Sequence, residues 1–175
     1  KGTLLTLFIA LLIAGLPHFF NLPIWVSALF VCCILVKYFL VNSEKPVTAA
    51  FIPILLAIPI ISLVYFQFGT LLGIEASISL LMVMLGLKIL ELKDYRDAML
   101  SLFLGFFIVV TVFLFQQQLI TLVYLLVCGF LLTLSLLKLN DYTGRQRHAQ
   151  QVKTTVRLSI GSIPVIIILF FIFPR

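Results

Sequence analysis

Charge is scarce in this chain. Only 10% of its 175 residues are Asp, Glu, Lys or Arg, where a soluble domain carries roughly 25%. Cysteine is scarce too: Cys32, Cys33 and Cys128 all fall inside apolar runs. An odd set so placed reads neither as a disulfide framework nor as a metal site, and free Cys packs as a small hydrophobe. No HExxH, CxxC, GxSxG or phosphate-loop pattern occurs. The residues therefore offer no nucleophile–base pair, and neither a cofactor nor a metal is expected. There is no convincing repeat, and no low-complexity segment beyond Gln116–Gln118.

What the chain has is apolar length. Hydrophobic residues make up 63% of it. Its apolar stretches last about 17–20 residues and recur throughout, unlike the single region of roughly 7–15 residues in a signal peptide. The expected fold is all-α, a polytopic transmembrane helix bundle in a lipid bilayer. No room is left for a water-soluble domain. Seven spans are predicted: Thr3–Leu16, Leu22–Leu40, Val47–Phe68, Ala76–Leu92, Ala98–Phe115, Leu119–Leu137 and Thr155–Phe173. The first is the shortest, and the count is six if it does not fully cross. Pro23 opens the second span where a missing N–H costs little, and Trp25 suits an interface. Pro53, Pro59 and Pro164 predict kinks within spans. The chain begins with Lys1 and ends at Arg175 directly after an apolar run. Both ends read as cut, so a longer parent protein is expected.

The basic residues then sort by loop. Lys1, Lys37, Lys45, Lys88, Lys93, Arg96, Lys138, Arg145, Arg147, Lys153 and Arg157 fall on one side, eleven of the twelve. Lys37 is expected to snorkel there. The alternate loops hold no lysine or arginine. The positive-inside rule puts the N-terminus in the cytoplasm and Arg175 outside. The net charge of +6 then reflects orientation and anionic lipid, not nucleic acid. Contact with that lipid is expected through Arg145, Arg147 and Lys153.

Six of the 18 charged residues crowd into LGLKILELKDYRDAML: Lys88, Glu91, Lys93, Asp94, Arg96 and Asp97. Lys88 and Glu91 are three apart, so they can face each other on a helix. They form either an interfacial anchor pair or, with Arg96 and Asp97, a constellation that locks the hairpin of spans four and five or meets a cytosolic partner. Glu75 is the acidic residue of the opposite side. It is either a helix-start carboxylate at the positive end of a dipole or an intramembrane group that binds or orients something. Gly69 and Gly73, four apart, could permit close helix contact. His18 beside Pro17 reads as an interfacial or capping residue sooner than a ligand, and His148 as solvated.

Together these residues resemble a known family. The features are Gly69, Gly73, Glu75 and Ala76; Leu87, Lys88, Leu90 and Glu91; Arg96-Asp97-Ala98; Phe103 to Phe107; Phe113-Leu114-Phe115 before Gln116; and the closing Phe173-Pro174-Arg175. They look like the N-terminal membrane domain of bacterial transglutaminase-like proteins of the TgpA type. The likeness covers nearly the whole chain and is specific from Gly69 to Gln118 and in the last three residues. It departs at Ile74, where an arginine would be expected.

The resemblance implies a bacterial inner-membrane protein. Its extracytoplasmic transglutaminase-like domain would follow residue 175 and carry a Cys-His-Asp triad for acyl transfer or peptidase chemistry. Cys32, Cys33 and Cys128 do not match that triad. This chain would be a non-enzymatic anchor or scaffold, with its own C-terminal periplasmic domain as partner and with Glu75 and Gln116 to Gln118 facing that domain. The alternative is a transporter-like or lipid-handling bundle that supplies an envelope substrate.

Overall fold

The structure, a computed structural model, describes residues 2–42, 51–70, 73–112, 115, 119–140 and 150–161. Every regular element among them is helical. Helix α1 spans Gly2–Gly15 and runs into a 3-10 helix, Leu16–Phe20. Then come α2 (Ile24–Asn42), α3 (Phe51–Phe68), α4 (Ile74–Glu91), α5 (Tyr95–Thr111) and α6 (Leu119–Asn140). Residues 150–161 are helical as well. The expected kink at Pro164 and the loop basics Arg145 and Arg147 lie outside the described residues.

Among the described residues three stretches are long and apolar enough to cross a membrane: Thr3–Phe20, Ile24–Asn42 and Ile120–Asn140. Leu55–Phe68 is apolar but shorter. Helix α4 falls outside that class because it carries charge at both ends, with Glu75 in its first turn and Lys88 and Glu91 in its last.

Contacts at the helix ends fix the direction of each helix. Lys138 Nζ near the end of α6 meets Thr6 Oγ1 near the start of α1 at 3.0 Å. Tyr124 near the start of α6 donates to the Ile13 carbonyl near the end of α1. Trp25 Nε1 at the start of α2 bonds Gln67 Oε1 at the end of α3. Tyr95 at the start of α5 reaches Asn140 at the end of α6. Helices α1, α3 and α5 therefore run one way, and α2, α4 and α6 the other. One end of the bundle gathers Lys37, Lys88, Lys93 and Lys138. The other gathers His18, Trp25, Gln67 and Glu75.

The core is one continuous cluster drawn from α1, α2, α4, α5 and α6. Helix α2 packs most closely on α4, and α1 lies against both α5 and α6. Helix α3 is peripheral. It packs on α4, and Val64 is its one buried residue among those described. Close approach decides which residues fit. A Cβ on Gly105 would lie 2.5 Å from a Leu11 methyl and 3.3 Å from a Leu132 methyl, so any larger residue there would have to push these side chains of α1 and α6 aside.

The glycine pair expected at a helix contact does something else. Gly69 has φ +67° and its N–H bonds the Tyr65 carbonyl at 2.9 Å. It thus closes α3 with a left-handed cap. Gly73 is the N-cap of α4. Pro53 falls in the first turn of α3, where no backbone bond is lost, and Pro59 sits inside the helix. Serine and threonine hydroxyls bond back one turn, as in Ser62 to Ile58, Ser79 to Glu75, Ser101 to Asp97 and Ser135 to Leu131. An apolar surrounding demands such internal satisfaction.

Candidate functional site at the turn between α4 and α5

Helix α4 stops at Glu91, and α5 begins at Tyr95 after three intervening residues, with Asp94 as its N-cap. Chain reversal in so few residues leaves the last carbonyls of α4 and the first N–H groups of α5 without partners from their own helices. Charged side chains take up one of those carbonyls and an N–H of the turn itself. Lys88 Nζ bonds Glu91 Oε2 at 3.0 Å and Asp97 Oδ1 at 2.9 Å. The other carboxylate oxygen, Asp97 Oδ2, accepts the Lys93 backbone N–H at 3.2 Å. One carboxylate therefore joins the lysine of α4, the turn and the first turn of α5.

Helix α2 grips the same place from behind. Lys37 is only 1% exposed, and its Nζ donates to the Leu90 carbonyl at 3.0 Å. The expected snorkelling does not occur. The Leu90 carbonyl, left open at the end of α4, gives the amine a buried acceptor closer than water. Asp97 is poised to stay ionised. The hydrogen bond from Lys88, and after it the Lys93 N–H, hold its carboxyl below the usual carboxylate range, although desolvation pulls the other way.

The candidate residues therefore separate. Lys88, Glu91 and Asp97 come together. Arg96 is exposed and stands outside these ion pairs among the described residues. Glu75 lies at the far end, exposed, in the first turn of α4 beside its N-cap. That is the position where a carboxylate complements a helix dipole. Gln116 lies outside the described residues. Of the cysteines, Cys33 and Cys128 are buried and Cys32 is exposed on α2. Among the described residues no group of His, Cys, Asp or Glu has the arrangement of a metal site.

At the far end two more side chains close helix ends, of which the sequence singled out His18 and not Tyr124. His18 is fully buried, and its Nε2 lies 3.0 Å from the Ile108 carbonyl in the last turn of α5. Tyr124 donates to the Ile13 carbonyl in the last turn of α1. With Lys37 on α4, three helix C-termini are thus closed by side chains from other elements. His18 fits the capping role expected of it, although it sits inside the bundle and not at an interface.

Lys88 and Glu91 at the end of α4, followed by Asp97 in the first turn of α5, are among the residues that carry the family likeness. Residues 6–175 match the model of the TgpA N-terminal domain. The chain belongs to that family. It is 28% identical, over its full 175 residues, to the protein-glutamine gamma-glutamyltransferase of Pseudomonas aeruginosa. The match covers 26% of that relative, so the chain spans about a quarter of its length. No solved structure matches the chain.

Proposed function

We propose that this TgpA N-terminal domain is the membrane anchor and scaffold of a longer transglutaminase-like cell-envelope protein. It sits in the bacterial inner membrane and positions a catalytic domain that lies outside this chain. The parent performs acyl transfer, as the name of the Pseudomonas relative states for that protein. This chain contributes no reacting group.

The observation that carries the reading is the difference between the two ends of the bundle. Lysines of α2, α4, α6 and the α4–α5 turn gather at one end, and the described residues of the other end hold no lysine or arginine. By the positive-inside rule the first end is cytoplasmic. With seven spans, that orientation would bring the chain out on the extracytoplasmic face. The apolar outer surface supports it: Phe20, Ile24 and Phe66 are each more than four-fifths exposed. Lys153, which is exposed, would meet anionic headgroups together with Arg145 and Arg147.

A transporter-like bundle would need a polar cavity at mid-depth. The groove along α2, lined by Phe19, Ile24, Val31, Leu35 and Phe39, is almost wholly apolar. The deciding experiment places Glu75→Gln and Lys88→Met in the full-length protein and measures both its amount in the membrane and its acyl-transfer activity. A scaffold loses the two in proportion. Activity that collapses while abundance holds would exclude a passive anchor.

A further inference from the structure

His18 is the buried titratable group that the charged turn does not use. We propose that it is an acid-sensitive latch: neutral, it clips the connection between α1 and α2 onto the end of α5, and protonated, it releases that connection.

The tautomer follows from the acceptor. A carbonyl cannot donate, so the nitrogen 3.0 Å from Ile108 O, Nε2, must carry the proton. The Thr111 hydroxyl gives its own proton to the same carbonyl at 2.8 Å and stands 3.2 Å from Nε2. Nδ1 is therefore the bare nitrogen. It is buried and finds no hydrogen-bond partner among the described residues.

Every described element packed on the ring is uncharged at the contact. Helix α5 presents a carbonyl and a hydroxyl. Phe115 presents a ring edge, with centroids 5.9 Å apart. The histidine's own carbonyl is taken by the N–H groups of Asn21 and Leu22 at 3.1 and 2.9 Å. No described carboxylate or cation acts on the imidazole.

A second proton would thus place a charge, and a new N–H donor, where no described residue offers a counter-ion or an acceptor. Swinging the ring out to water relieves both costs. The opened connection binds that proton more readily than the closed one. Closure is therefore complete above the ordinary histidine range, about 6.5, and weakens as the pH falls through it. Histidine is the side chain suited to this window, and the latch does not depend on the scaffold reading.

The test is hydrogen exchange of the intact protein in lipid nanodiscs from pH 8 to pH 5, with each rate corrected for the intrinsic pH dependence of exchange. Residues 16–22 report on the latch and residues 88–98 serve as the internal control. In the wild type, protection of 16–22 is expected to fall about tenfold per pH unit below the midpoint, while 88–98 holds. His18→Gln, which keeps a neutral donor, is expected to show no such fall. A flat wild-type profile overturns the latch. So does a fall shared equally by 88–98, or one that persists in His18→Gln. The wild-type profiles alone decide if the variant does not fold.

Discussion

At one end of the bundle the amine of Lys37 takes the Leu90 carbonyl, and Lys88 is shared by two carboxylates. At the other end an imidazole takes the Ile108 carbonyl, and a phenol takes that of Ile13. Both ends face the same physical demand, since the last four carbonyls of any helix lack partners within it. They answer with different chemistry. The first uses long stems and full charges, which suit a region that water reaches. The second uses neutral aromatic donors. Buried without counter-charges, these are strong only while they stay neutral and dry. Salt and pH should therefore act on the two ends differently.

The largest effect is expected at the neutral end. His18→Ala empties a fully buried site and strips the Ile108 carbonyl of its donor from outside α5. A cavity and a lost hydrogen bond together should cost about 3 kcal/mol, read as a shift in the unfolding of the chain in mixed micelles. Salt should not change that cost. A loss below about 1 kcal/mol would mean that the imidazole does not hold α5.

Lys88→Met comes next. It leaves Glu91 and Asp97 side by side with no cation between them. Breaking a partly buried charge network should cost about 1–2 kcal/mol at low salt. The cost should shrink in molar salt, which screens the wild-type pairs. A cost that ignores salt would place the cluster in a dry interior and remove the contrast with the other end.

How far the sequence foretold these contacts depends on the kind of acceptor. Apolar run length located the helices, because it is a property of the chain itself. The i, i+3 spacing of Lys88 and Glu91 announced their pair, and the density of charge marked the turn. The tertiary caps left no such trace. Lys37 and Leu90 are 53 residues apart, His18 and Ile108 are 90 apart, and Tyr124 and Ile13 are 111 apart. In each pair the acceptor is a backbone carbonyl, which every residue carries. Lys37 read as a snorkelling residue because nothing in the sequence shows that an open carbonyl lies within its reach. The glycines show the same limit. The spacing of Gly69 and Gly73 resembled a packing motif, yet the intimate contact is at Gly105, where Leu11 and Leu132 arrive from elsewhere in the chain.

Tyr124→Phe isolates one neutral cap with almost no change in volume. The loss of one hydrogen bond to the Ile13 carbonyl should cost about 1 kcal/mol, with no dependence on salt. The same measurement on Lys37→Met tests the charged counterpart. There the lost bond is partly offset, because a buried cation no longer has to be desolvated. A smaller cost for the lysine than for the tyrosine would confirm that the charged cap is the less efficient of the two.

The smallest effect separates the ends by pH. Asn in place of Asp97 keeps an oxygen for the Lys93 N–H and removes only the charge that faces Lys88, so the expected cost near pH 7 is about 0.5 kcal/mol. Asp97 is held below its ordinary value of 3.8, first by the hydrogen bond from Lys88. A carboxyl depressed in the folded chain stabilises it above the unfolded value, and that contribution is lost as the pH falls through the folded one. The wild type and Asp97→Asn should therefore differ by a constant amount from pH 8 down to about 4, then converge in stronger acid. His18 responds only once the pH falls below the ordinary histidine range, so in mild acid only the neutral end should change. If the Asp97 difference instead closed in that higher window, the carboxylate would be responding to a histidine and not to Lys88, and the two ends could not be independent.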